Sequence, residues 1–290
     1  MKVSIITVCI NLIKEERDEY FKQMFESVNA QTYQDIEHII IDGASQDGTV
    51  EFIQEIIQNA KHSTIFISEP DTGIYNAMNK GVKYSKGDSF IIMNSDDYYY
   101  SNKAIENLVQ PLINNNQLGF VTAKCKILRH KDDKRNNKIA ATNPRNFIFH
   151  MPFSHNTMLC KTSLFDELGG FDEKYKSAAD YDFVFKILVK NTPHTIVRSI
   201  VTAFREEGYT HQYAEESRAE TLAIMKNYYP DTISDQELKR VHQRKISWGL
   251  YKKIGQFNFS IKPQFKKQII MNIPIIVMKN CLTLLKLNKL

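Results

Sequence analysis

Four short apolar runs, each ending in a polar, acid-bearing loop, constrain this chain more than any other feature. VSIITVCI (3–10), IEHIIID (36–42), STIFIS (63–68) and DSFIIM (88–93) have strand length and are rich in β-branched residues. Nearly continuous apolar runs of this kind suit strands buried on both faces, as in a parallel sheet. The intervening segments have helical spacing. Residues 15–31 place Phe21, Phe25 and Val28 on one face, about 48–59 carry Val50, Ile53, Ile56 and Ile57, and IYNAMNKGVKYS (74–85) forms a third helix. Strands alternating with helices predict a parallel sheet with helices on its faces. Ligands of such sheets bind beyond the carboxyl ends of the strands. Thr7 and Asn11, Asp42 and Ser45, Glu69 and Asp71, and Asp96 and Asp97 cluster at those ends, so one cleft can collect all four loops. Farther on, 129–146 reads as a polar loop. The stretch FSHNTMLCKTSLFDELGGFDEKYKSAADYDFVFKILVK then holds a strand, a short helix, a Gly169-Gly170 turn and a helix beginning near Asp180.

With 290 residues, 42% hydrophobic and 24% charged, the chain can bury a substantial core and has the composition of a globular protein. Cys9, Cys125, Cys160 and Cys281 are scattered, with no pair at metal-binding or redox spacing, which suggests reduced thiols in the cytosol. The start, MKVSIITVCI, enters a strand too directly to read as a signal peptide. Charge is distributed unevenly. No Asp or Glu follows Glu237, whereas twelve Lys and Arg do, so a total of +5 leaves −7 on residues 1–237. An acidic body with a basic tail suggests a polyanionic partner, either nucleic acid or an anionic membrane surface. The last segment, KKQIIMNIPIIVMKNCLTLLKLNKL, is apolar but broken by Asn272, Pro274, Lys279, Asn280 and Lys286. It lacks the roughly 18 uninterrupted apolar residues of a membrane span. An interfacial amphipathic segment fits it, with a helix packed on the body as the alternative. The tail shows no nucleic-acid motif and mixes its lysines with aliphatics rather than stacking aromatics, which argues against a nucleic-acid partner.

Adjacent carboxylates at 96 and 97 suit either a turn or a hard divalent cation, which takes oxygen ligands from one or two carboxylates and from substrate phosphates. The order and spacing of SIITVCIN, IIIDGASQDGT, SEPDTGIYNAMNKG, IIMNSDD and GGFDEKYKSAADYDFVFKI resemble family 2 glycosyltransferases, over about residues 1–215. These are inverting enzymes of the GT-A fold, and the chain looks most like bacterial members that build surface polysaccharides. The resemblance implies a nucleotide-sugar-binding half (1–100), an acceptor-binding half (101–215) and a basic helical extension (216–290).

By the same resemblance Asp42 meets the nucleotide base, with Ser45 in its loop, Thr7 lines the nucleotide pocket, and Asp47 holds its own loop. Asp71, Gly73 and Asn79 lie in the stretch beneath the nucleotide sugar. Asn94 and Asp96 stand where the family has Asp-x-Asp: Asp96 ligates Mn²⁺ or Mg²⁺, and Asn94 can bond a sugar hydroxyl but brings no charge. Asp180 is the general base on the acceptor hydroxyl, while Asp182 points elsewhere on its helix. His211 is a candidate metal ligand and His155 a candidate acceptor-pocket residue. The implied protein transfers a sugar from a nucleotide diphosphate donor, UDP-linked, to a glycan carried on lipid, at the cytoplasmic face of the membrane. A sugar-nucleotide-binding subunit without turnover and a nucleic-acid-binding protein are the alternatives.

Overall fold

The computed structural model of the chain describes residues 1–129, 136–140, 142–206, 213–228, 233–247 and 249–250. The expected first half is present as β1 (Val3–Cys9), α1 (Asp18–Asn29), β2 (Ile36–Asp42), α2 (Thr49–Ile56), β3 (Ser63–Ser68), α3 (Ile74–Tyr84) and β4 (Ser89–Ile92). Helix α1 starts three residues later than its apolar spacing implied. Then follow β5 (Tyr98–Tyr99), α4 (Ala104–Asn114), β6 (Phe120–Leu128), β7 (Leu159–Lys161), α5 (Thr162–Leu168), α6 (Ala179–Val189), β8 (His194–Arg205), α7 (Ala214–Lys226) and α8 (Asp235–His242). The expected polar loop at 129–146 falls partly outside the described residues; within it, Ile139 bridges to Lys126.

The strands form one eight-stranded sheet in the order β3-β2-β1-β4-β7-β6-β8-β5. β1, β2, β3 and β4 pair in parallel. β7 runs antiparallel between β4 and β6, and β5 antiparallel to β8. Register aligns Cys9 with Asp42 and Asp42 with Ser68, so three strands end on one line and deliver their loops to the same edge. The sheet is continuous across residue 100. No helix among the described residues is long and apolar enough to cross a membrane.

Side-chain alternation sorts the core into two layers. Ile6, Val8, Ile39, Ile41, Phe90 and Ile92 face the layer shared with α3, α5, α6, α7 and α8. Val3, Ile5, Ile36, Ile40, Ile91 and Met93 face the layer shared with α1, α2 and α4. In the first layer, Phe171 has ring centroids 5.6 Å from Tyr75, 5.1 Å from Phe165 and 5.5 Å from Phe183. These edge and tilted contacts lock α3, α5 and α6 together, which brings Tyr75 of α3 beside the start of α6. α7 adds a further tie: Glu220 accepts from the backbone N–H groups of Lys176 and Ser177, both at 2.8 Å, just ahead of α6.

Candidate active site

The chain turns sharply after β4. Asp97 N–H bonds back to Asn94 O at 3.2 Å, and the two carboxylates of this turn go separate ways. Asp97 is fully buried. Its Oδ2 accepts from the side-chain amides of Asn94 and Asn156, both at 2.8 Å, and its Oδ1 from the backbone N–H of Arg205 at 2.8 Å. Burial, and then the negative charge of Asp96, push its carboxyl up to about 7 against those hydrogen bonds. Asp96 instead meets the guanidinium of Arg17 at 2.6 Å. Arg205 donates to the Asp96 carbonyl and lies over the rings of Tyr20 and Tyr98, at 4.2 and 5.4 Å from their centroids. Of the tyrosines after the turn, Tyr99 is core, Tyr98 lies under Arg205 and Tyr100 is exposed.

Asn94 leads across the cleft. Its Oδ1 lies 3.0 Å from Nε2 of His155, whose Nδ1 is 3.2 Å from Oδ2 of Asp180. The other oxygen of Asp180 accepts from the Tyr75 hydroxyl at 2.9 Å and the Tyr181 N–H at 2.8 Å. Asp180 sits in the first turn of α6, where a negative charge also meets the positive end of the helix dipole. Burial alone would raise its carboxyl. The hydrogen bond and charge of His155, with Tyr75 and Tyr181, outweigh this and hold it below the ordinary carboxylate value. Asp182 is buried on another face of α6 and pairs with Lys186 at 2.6 Å.

The other expected site residues lie off this run. Thr7 does not line the cleft: it is fully buried, 3.0 Å from Nε2 of His38, because the alternation of β1 turns it under Met24 of α1. Asp42 is buried as well, and its carboxylate is engaged internally, accepting from Ser45 N–H at 2.9 Å, Ser45 Oγ, and Ser68 Oγ at 2.7 Å. Ser45 in turn accepts from Asn11 N–H at 2.7 Å, tying the β1 and β2 loops together. Asp47 holds its own loop through the N–H groups of Lys14 and Thr49. Asn79 clamps the turn after α5, accepting from Phe171 N–H and donating to Phe171 O and Glu173. Asp71 accepts from Gly73 N–H at 2.8 Å, and its Oδ2 crowds the space a side chain at Gly43 would fill. Gly73 starts α3 at φ +138°, a backbone conformation that favours glycine. His211 lies outside the described residues. Sequence reasoning did not single out Tyr75, Arg17, Asn156 or Arg205. Tyr75 lies inside the quoted EPDTGIYNAMNKG motif, and the other three carry no local signature.

A family model, Glycosyl transferase family 2, matches residues 4–171. An uncharacterized glycosyltransferase of Rickettsia typhi is 29% identical over 58% of this chain, though that alignment spans only about half, 54%, of the relative's own length. One from Mycobacterium tuberculosis is 27% identical over 71% of this chain and 76% of its own. A PGL/p-HBAD biosynthesis glycosyltransferase of Mycobacterium bovis is 25% identical over 60% and 68%. Among solved structures, S. aureus TarS 1–349 in complex with UDP superposes with a TM-score of 0.59 at 17% identity, over 83% of this chain and 70% of that one. The Pyrobaculum calidifontis mannosyltransferase PcManGT, in complex with GDP-Man and Mn²⁺, gives 0.60 at 17% identity over 98% and 74%. The family match covers more than half of the residues and contains the ends of β1 to β4, whose loops meet at the cleft, so the chain belongs to glycosyl transferase family 2 and has the GT-A fold.

Proposed function

We propose that this chain is an inverting glycosyltransferase that moves a sugar from a nucleoside diphosphate donor, UDP-linked, to a hydroxyl of a glycan. The observation that carries this reading is the hydrogen-bonded run from Asn94 through His155 to Asp180. It sets a carboxylate held ionised across the cleft from the turn that bears Asp96. Inverting transfer needs a base on the incoming hydroxyl and a place opposite it for the leaving diphosphate. Asp180 serves as the base, and the loops after β1, β2, β3 and β4 receive the donor. With the Asp42 carboxylate engaged by Ser45 and Ser68, its part is to shape the loop that meets the nucleotide.

Asp96 would hold Mg²⁺ or Mn²⁺. Among the described residues no three His, Cys, Asp or Glu side chains group to form a metal cage. A single carboxylate still fits an ion whose remaining ligands are donor phosphates and water. When bound, the ion would supply positive charge against the leaving diphosphate. Arg17 brings a permanent guanidinium charge to the same turn. The basic tail suits an acceptor on a lipid diphosphate at the inner leaflet, as in surface-polysaccharide synthesis such as O-antigen or capsule, because lipid and linker are both anionic.

Calorimetric titration with UDP, GDP, dTDP and CDP, each with Mn²⁺ and again with EDTA, tests the reading. One nucleotide is expected to bind in a metal-dependent way, and Asp96→Ala to abolish that dependence. Binding of none of the four sinks it.

A further inference from the structure

Both nitrogens of His155 face acceptors. Nδ1 meets Asp180, whose Oδ1 already receives the Tyr75 hydroxyl and the Tyr181 N–H. Nε2 meets Asn94 Oδ1, and the orientation of that amide is fixed from the far side: Asn94 Nδ2 donates to Asp97 Oδ2. Asp97 is itself fixed as an acceptor by Arg205 N–H and by Asn156, whose own carbonyl takes the Thr202 hydroxyl at 3.1 Å. Every partner along the run is thus oriented, and a neutral imidazole could satisfy only one of the two contacts.

We propose that His155 is a doubly protonated positioning residue that ties Asn94 to Asp180 and makes Oδ2 of Asp180 the oxygen that takes the acceptor's proton. The assignment of Oδ2 follows from counting. A carboxylate oxygen offers about two lone-pair directions. Oδ1 has two donors, whereas Oδ2 has one among the described residues. The acceptor O–H bond then breaks toward Oδ2, and the freed electron pair forms the bond to the anomeric carbon. The pair of the broken anomeric C–O bond leaves with the diphosphate. His155 keeps both of its protons throughout.

The groups around it agree with a cation. Asp180 lies on α6, with Tyr75 of α3 behind it; Asp97 and Asp96 lie on the turn after β4, backed by Arg205 of β8 and by Arg17. Burial would push the imidazole down, but the hydrogen bond and charge of Asp180, then Asp97 and Asp96, hold it above the ordinary histidine value.

The double protonation of His155 stands without the proposed function, whereas the role of Oδ2 and the kinetic arm of the test rest on it. Long-range ¹H–¹⁵N correlation spectra of the full chain, with His155 assigned by its loss in His155→Gln, read the protonation state directly. The expected result is imidazolium shifts on both nitrogens at pH 7, with a midpoint above about 6.5 that falls in Asp180→Asn. In the transfer assay, His155→Gln should lower kcat by up to about a hundredfold, with little change in donor KM, and move the acid limb of the pH profile to higher pH. One unprotonated nitrogen at pH 7, or a wild-type acid limb in His155→Gln, overturns the proposal. An imidazolium in a chain that transfers no sugar supports the pairing and defeats the proposed function instead.

Discussion

Asn94 departs from the family's paired acids, and its surroundings supply a reason. Asp97 is buried 2.8 Å from the Asn94 amide and already feels Asp96, which helps push its carboxyl up to about 7. A third carboxylate at 94 would add like charge where desolvation is already costly; an amide donates to Asp97 and accepts from His155 instead. At this scale the proposed base gives the plainest prediction. Asp180→Asn should lower kcat by about 10²–10⁴ and leave nucleotide affinity within about twofold, checked by single-turnover assay beside calorimetry. The His155–Asp180 pair also predicts a stability window. Asp180 is held below its ordinary 3.8, so its stabilisation is complete above that value and is lost as pH falls through the lowered one. His155 is held above 6.5, so its share is complete below 6.5 and is lost as pH rises through the raised value. The gap in melting temperature between wild type and His155→Gln should therefore be widest between about pH 4 and 6.5 and narrow on either side. At its widest it should correspond to about 1.5–3 kcal/mol, read by calorimetry across pH.

Helix α3 joins core to site. Its first turn carries Tyr75, which reaches Asp180, and farther along Gly81 lets the helix close on β1: a Cβ there would collide with Ile6 Cγ2. Gly81→Ala should cost about 1–3 kcal/mol in urea unfolding and lower transfer more than nucleotide binding, because the displaced helix carries Tyr75. Elements of this kind were legible in the sequence to different degrees. β1, β2 and β4 stood out because strands buried on both faces read as nearly continuous apolar runs, and β3, though a half-buried edge strand, keeps a run of three apolar residues at its centre. β6 and β8 did not: Lys124 and Lys126 interrupt one, Arg198 the other, and β7 enters the sheet between β4 and β6, an arrangement set by long-range pairing. The site divides similarly. Motif spacing marked Asn94, Asp96 and Asp180, whose types state their chemistry. The inward turn of Thr7, the engagement of Asp42 by Ser68 and the clamp by Asn79 depend on strand register and on partners 26 to 92 residues away, which local pattern does not carry. Tyr75 and Arg205 were hidden for the same reason, since their partners lie 105 and 108–109 residues distant.

Across the whole molecule, charge separates along the chain. The −7 of residues 1–237 includes the carboxylates of the cleft, while the +12 that follows continues past residue 250, beyond which Lys252, Lys253, Lys262, Lys266, Lys267, Lys279, Lys286 and Lys289 stand among aliphatic residues. A body of like sign to an anionic bilayer is repelled by it unless the tail faces the lipid, so the separation would orient as well as attract. Each lysine near such a surface contributes about 1 kcal/mol, and the attraction decays within a Debye length of about 10 Å at 0.1 M salt. The full chain should therefore sediment with vesicles containing anionic lipid, not with neutral ones, and should be released near 0.5 M salt. Changing those eight lysines to glutamine should abolish sedimentation while leaving UDP affinity unchanged, since the loops proposed to receive the donor follow β1 to β4, within the first 100 residues. Binding that survives both high salt and the lysine changes would assign the attachment to the aliphatic residues. Absence of binding under any condition would remove the membrane from the proposed function and leave a soluble acceptor as the target.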